Sequence, residues 1–233
     1  MPDIKELNKE KPLSKIIDDY IVKSNEEEKG QHKGGKIYPS SVDKCSRLLF
    51  FELTMATVAE FEPRILRIMD NGKYVHTRIQ KYMADTGIMM CEESPIKYED
   101  LKISGRMDAL LKVGDFFAIG EIKSANDNNF QKMRKAREPL AKYVAQLQLY
   151  MHLTGIGLGV LYVENKNDQD VLEFWLEYDS DYCTKLIKKL TTVLKCAEKG
   201  QVMTIEEAES LDIFMMDPKK MYKGKYTQAC YYC

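Results

Sequence analysis

The sequence lacks the run of about 18 uncharged apolar residues that a membrane-crossing helix needs, and its first residues, MPDIKELNKEKPLSK, hold no apolar core of a secretion signal. Membrane spanning and secretion are therefore unsupported, and a cytoplasmic protein is expected. An excess of charge of either sign is also missing. Lys and Arg total 35 against 36 Asp and Glu, a net charge of -1, so a polyanionic partner could be held only by local charge. No internal repeat is present. Six cysteines in a chain of 233 residues without a secretion signal suit reduced thiols or metal ligands better than a disulfide framework. The 44% hydrophobic and 10% aromatic content excludes a disordered or fibrous chain. At about 100 to 200 residues per domain, the length suits one large domain with a substantial core.

Residues 1–37 form a charged extension with eight Lys and eight Asp or Glu, and one short apolar helical stretch around Ile16, Ile17, Tyr20, Ile21 and Val22. EEEKGQHKGGK then reads as a connection, and the main domain is expected from residue 38 to 217. Pro39-Ser40-Ser41 reads as a helix start, with Val42, Cys45, Leu48, Leu49 and Leu53 on one face. A second helix follows Pro63, where Ile65, Ile68, Met69, Val75, His76, Ile79 and Met83 recur at helical spacing. The period then shortens: Ile96–Ser104, Arg106–Val113 and Phe116–Lys123, punctuated by Gly105 and Gly114-Asp115, read as an antiparallel meander. A helix from Pro139 to Thr154, strands at Val160–Val163 and Val171–Leu176, and a helix over Ser180–Lys199 complete the order. That order predicts a single α/β domain with a central mixed β-sheet flanked by helices.

The chemistry concentrates in Gly105-Arg-Met-Asp108 and in Glu121-Ile-Lys123, thirteen residues beyond the aspartate. Two carboxylates on neighbouring strands of a hairpin can converge on one point, as oxygen ligands of a hard divalent cation do. Strand residues two apart share a face, so Glu121 and Lys123 point together and the carbonyl of Ile122 is free to act as a third ligand. A lone Glu-x-Lys is usually a solvated strand end. Here Phe116, Phe117, Ala118, Ile119 and Ile122 make the strand apolar, and charges within it are costly unless they serve each other or a metal. Gln146 and Tyr150 lie four apart on the helix that follows.

Gly105-x-x-Asp108, Glu121-x-Lys123 and Gln146-x-x-x-Tyr150 together resemble the RecB-like branch of the PD-(D/E)xK nuclease superfamily, which includes phage and CRISPR-associated exonucleases. Pro39-Ser-Ser-Val-Asp-Lys-Cys45-Ser-Arg47-Leu looks like the family's opening helix, and Gly72-Lys-Tyr-Val-His76 like its histidine motif. The resemblance spans residues 38 to 233 and implies a restriction-endonuclease-like core. It implies that Asp108, Glu121, the Ile122 carbonyl and His76 hold Mg²⁺ or Mn²⁺, that Lys123 orients or activates the attacking water, and that Gln146 and Tyr150 position Lys123 and the DNA backbone. His76 keeps two readings, since its helix face is otherwise apolar: a core histidine, or a ligand.

Local charge agrees with a DNA partner. Between Ile119 and Gln146, Lys123, Lys132, Arg134, Lys135, Arg137 and Lys142 outnumber three acids. The tail, residues 218–233, has four Lys, no acid and four Tyr, and is expected to pack on the nuclease domain. Lys132, Arg134, Lys135, Arg137, Tyr222, Lys223 and Lys225 are the candidate contacts to phosphates and exposed bases, a combination that suits single-stranded ends; the alternative is a solvated helix and a frayed tail. Members of this family often carry an iron-sulfur cluster, and Cys45 with Cys230-Tyr-Tyr-Cys233 fits part of its ligand set. The fourth cysteine of a 4Fe-4S site is not found in this sequence. Zn²⁺ on the same three cysteines, with a fourth ligand from elsewhere, is the other option. Cys91, Cys183 and Cys196 read as ordinary thiols. The expected activity is a metal-dependent DNA exonuclease of recombination, repair or phage and CRISPR DNA processing. A structure-specific endonuclease on the same core, or a DNA-end-binding subunit of a recombination or spacer-acquisition complex, are the alternatives.

Overall fold

The architecture follows from where each segment can bury its apolar residues and satisfy its backbone. The computed structural model describes residues 4–29, 35–55 and 60–212, which fall into two units: 4–29 with 60–74, and 35–55 with 75–212. The first unit holds α1 (Ile4–Glu10), α2 (Pro12–Lys29) and the beginning of α4 (Pro63–Asp85), with the Arg67 guanidinium paired to Asp18. Leu13, Ile16 and Tyr20 on α2 are exposed. Among the described residues no helix is long and apolar enough to cross a membrane.

The second unit holds α3 (Ser46–Thr54), the rest of α4, and a five-stranded sheet in the order β1 (Met89–Tyr98), β2 (Ile103–Val113), β3 (Phe116–Ala125), β4 (Leu158–Asn165), β5 (Val171–Glu177). The first three strands form the expected antiparallel meander. Gly114, at φ +60°, begins the two-residue β2–β3 turn, a conformation that glycine adopts without steric cost. α5 (Asp127–Ala136) and α6 (Ala141–Thr154) then carry the chain over to β4, which lies parallel to β3. β5 pairs antiparallel with β4, and α7 (Ser180–Glu198) and α8 (Ile205–Asp212) follow. The sheet is therefore mixed, as expected from the sequence.

Each sheet face has its own core. Val75, Ile79 and Met83 of α4 pack on Ala109, Leu111, Ile122 and Val160. Phe130 and Met133 of α5 and Leu147 and Met151 of α6 pack on Ile119, Leu161 and Val163. The outer side of α6 meets α3 and α7 through Ala145, Leu149, Leu49, Phe50, Leu186 and Leu190. α6 is thus buried along nearly its whole length, and each fully buried Leu in such a core contributes about 1.5–3 kcal/mol.

Several boundaries differ from the sequence reading: α2 runs on through residues 26–29, which read in the sequence as the start of the connection, and two larger differences lie in the second unit. The helix expected from Pro39 is a 3₁₀ turn at Pro39–Ser41, and α3 begins only at Ser46. The cause is tertiary. The buried Lys189 ammonium donates to the carbonyls of Val42 (3.0 Å) and Lys44 (2.6 Å), and Asp212 accepts from the Ser46 amide (2.8 Å) and hydroxyl (2.7 Å), so distant side chains claim the groups a continuous helix would use. The strand expected at Ile96–Ser104 is the end of β1 followed by a 3₁₀ turn at Glu99–Leu101 and Lys102 at φ +51°. β1 starts at Met89 and is largely exposed as an edge strand, so apolar alternation does not mark it.

A candidate active site in the fork of the sheet

The β2–β3 ladder ends at the pair Ala109↔Gly120. Beyond it β2 pairs with β1 and β3 with β4, so the sheet forks, and Asp108 and Glu121 are the first residues past the last shared pair. Asp108 replaces the missing ladder bond with its side chain: its Oδ2 accepts from the Ile122 amide at 2.7 Å. The Asp108 carbonyl accepts from the buried Gln80 side chain of α4 at 2.9 Å, and the same Gln80 nitrogen donates to Glu93 Oε1 at 3.0 Å. Glu93, on β1 between Glu92 and Ser94, which pair with Ala109 and Met107, is at φ +47°, a left-handed conformation uncommon for a non-glycine residue.

α6 spans the fork. One turn apart on that helix, Gln146 Oε1 accepts from Lys123 Nζ at 3.0 Å on β3, and the Tyr150 hydroxyl donates to the Arg106 carbonyl at 2.6 Å on β2. Tyr150 is buried, and its hydroxyl is spent on the backbone of the forked strand. Gly105 permits this approach, because a Cβ there would lie 2.7 Å from Pro39 Cδ and Cγ and 3.4 Å from the Tyr150 hydroxyl.

The charges gather between these elements. His76 Nδ1 lies 3.4 Å from Asp108 Oδ1, and Lys123 Nζ lies 2.5 Å from Glu121 Oε1. Glu121 is 1% exposed, and neither of its oxygens completes an aligned hydrogen bond, so the ammonium contact is an ion pair that leaves the carboxylate unsatisfied. Burial pushes the Glu121 carboxyl up to about 7 against the pull of Lys123. Burial opposes the charged His76 ring, but the Asp108 carboxylate outweighs it and the imidazole pKa rises. Burial likewise opposes the Lys123 ammonium, and Glu121 outweighs it, so that pKa also rises. Burial thus holds the Glu121 proton, whereas the neighbouring carboxylates hold those on His76 and Lys123.

The structure therefore brings His76, Asp108, Glu121, Ile122, Lys123, Gln146 and Tyr150 to one fork. Among the described residues, no three His, Cys, Asp or Glu side chains already form a ready metal cage; Asp108 is turned to the Ile122 amide and Glu121 to Lys123. The donor chemistry nonetheless fits a hard divalent cation, because a buried carboxylate met at close range by one ammonium, without an aligned hydrogen bond, keeps lone pairs that such an ion would satisfy. Lys132, Arg134, Lys135 and Arg137 are exposed on α5 and at its C-terminal cap, where the Arg134 guanidinium pairs with Asp170. Tyr222, Lys223, Lys225, Cys230 and Cys233 lie outside the described residues. Cys45 is buried at the start of α3, Cys183 is buried and Cys91 exposed. Gln80, Glu93 and Tyr143, whose ring lies under Lys123, were not singled out from the sequence. The spacing His76-x-x-x-Gln80, which puts both on one helix face, could have pointed to the first.

No protein-family model matches the sequence, and no curated protein matches it. Solved structures do. The alkaline exonuclease LHK-Exo from Laribacter hongkongensis superimposes with a TM-score of 0.53 at 19% identity, over 71% of this chain and 89% of that one. SSO0001 gives 0.55 at 18% identity, over 88% and 97%. A phage-related exonuclease from Haemophilus somnus 129PT gives 0.50 at 12% identity, over 72% and 95%. The chain shares the fold of these proteins, a five-stranded mixed sheet flanked by helices.

Proposed function

We propose that this chain is a divalent-metal-dependent DNA nuclease of exonuclease type, hydrolysing phosphodiester bonds at DNA ends with single-stranded ends preferred. The observation that carries the reading is the Glu121 carboxylate, buried without an aligned hydrogen bond beside Asp108, His76 and Lys123 in a fork braced by α6. Two proteins that share its fold are exonucleases, and one of them, LHK-Exo, has been solved with dAMP. Asp108, Glu121, the Ile122 carbonyl and His76 would hold Mg²⁺ or Mn²⁺. Such an ion, when bound, lowers the pKa of a water and offsets charge on the phosphate.

The chain's own groups do the rest. Lys123, fixed by Glu121 and Gln146, presents an ammonium that orients the attacking water and keeps a proton at Nζ. Gln80 and Tyr150 hold the two backbone carbonyls of β2 on either side of Met107, so the Asp108 strand keeps its place at the fork. Water adds to phosphorus, the P–O bond to the departing hydroxyl breaks, and no covalent enzyme intermediate forms. Exposed Lys132, Lys135 and Arg137 suit phosphate contacts.

Digestion of end-labelled single- and double-stranded DNA with Mg²⁺ or Mn²⁺ tests the reading, and Glu121→Ala or Lys123→Ala at full activity would sink it. A covalently closed circle separates the modes: an exonuclease leaves it intact and a structure-specific endonuclease cuts it. The iron-sulfur cluster implied by the resemblance rests, among the described residues, on Cys45 alone. Iron content and visible absorption after anaerobic purification decide it, and a colourless, iron-free protein rejects it.

A further inference from the structure

We propose that Tyr143 is a positioning residue whose ring holds the Lys123 ammonium on the Glu121 carboxylate; its consequence for catalysis rests on the nuclease reading above. Tyr143 stands in the first turn of α6, is buried, and presents its ring centroid 5.6 Å from Lys123 Nζ. It precedes Gln146 by three residues and Tyr150 by seven, so the helix face that spans the fork begins with this ring.

The physical need comes from Lys123 itself. A lysine side chain has four rotatable stem bonds and three N–H donors, and its ammonium loses most of its water in this pocket. Glu121 Oε1 at 2.5 Å and Gln146 Oε1 at 3.0 Å supply two directed contacts. An aromatic face supplies a third attraction through its quadrupole, without a competing acceptor atom that would pull the ammonium off the carboxylate. Leucine would fill similar space but leave that side of the cation against hydrocarbon. The exposed Lys142 ammonium meets the same ring at 5.0 Å, so the ring serves two cations, one at the surface and one in the site.

The test uses the full chain with lysines labelled with ¹³C at Cε. The Lys123 Cε signal, identified by its loss in Lys123→Met, is expected upfield of the other lysines through the ring current of Tyr143. Tyr143→Phe keeps that shift, and Tyr143→Leu returns the signal to the ordinary lysine position. On end-labelled DNA with Mn²⁺, Tyr143→Leu is expected to lower kcat about 30-fold with KM changed less than about twofold, and Tyr143→Phe to restore kcat to within about threefold of the parent. An unshifted Lys123 signal in the parent chain overturns the placement, and that spectrum decides even if Tyr143→Leu fails to fold. Tyr143→Leu cleaving like the parent, or Tyr143→Phe as slow as Tyr143→Leu, overturns the positioning role. If the parent chain cuts no DNA with any divalent metal, the nuclease reading fails while the lysine spectra still decide for or against Tyr143.

Discussion

Two lysine–carboxylate pairs with a buried carboxylate sit in the same unit of this protein, and they are built differently. Lys189 is fully enclosed between α7, α3 and α8: it donates to two backbone carbonyls and pairs with Asp212 at 3.1 Å, and both Asp212 oxygens accept from Ser46. Every directed bond of that pair is made. Lys123 pairs with Glu121 at 2.5 Å, yet neither Glu121 oxygen completes an aligned hydrogen bond. The electrostatics also part. Burial dominates at Lys189 and depresses its pKa despite Asp212, whereas at Lys123 the carboxylates outweigh burial and raise it. A satisfied pair joins elements together; a buried carboxylate left without an aligned hydrogen bond is what the proposed metal ion would serve.

The contrast is sharpest under mutation. Glu121→Gln, nearly isosteric, is expected to cut DNA cleavage by at least about 10³-fold, in line with the several kcal/mol a metal ion contributes to such a transition state, while the melting midpoint moves only a few degrees. Asp212→Ala should do the reverse. It leaves the Lys189 ammonium buried without its carboxylate and is expected to cost about 3–5 kcal/mol in urea unfolding, with cleavage per folded molecule preserved. If Glu121→Gln instead unfolds the chain while Asp212→Ala removes cleavage without loss of stability, the two pairs have been assigned to the wrong roles.

A smaller effect is expected at the fork's hinge. Gly105→Ala puts a methyl 2.7 Å from Pro39 and 3.4 Å from the Tyr150 hydroxyl, and overpacking of this kind costs about 1–3 kcal/mol. Cleavage should fall together with stability, because the same contact seats Tyr150 on β2. The smallest effect is in pH. The folded pKa of Lys189 lies below its ordinary 10.5, so between the two values the unfolded chain binds more protons. Its contribution to stability therefore rises with pH through that window, and below the window a constant cost of burying the ammonium remains. Lys189→Met should remove this upward slope from urea midpoints taken across the window.

Much of the site was legible in advance because its signals are local. Asp108, Glu121 and Lys123 stand out as charges inside apolar strands, and Gln146 and Tyr150 share a helix face. The meander was legible from Gly114-Asp115 and the alternating runs around it. What escaped the sequence depends on contacts between distant segments. Nothing near Val42 announces that Lys189 will take its carbonyl and delay α3 to Ser46. Glu93 gives no sign of a left-handed backbone, and the fork exists only because β2 and β3 each find a second partner. β1 hid because an exposed edge strand needs no apolar alternation.

Mn²⁺ titrated calorimetrically into the intact protein, with no DNA present, tests the central claim most directly. The account predicts saturable binding by the parent chain that is lost in Glu121→Gln. Equal Mn²⁺ binding by the parent and Glu121→Gln, or none by the parent, would contradict it.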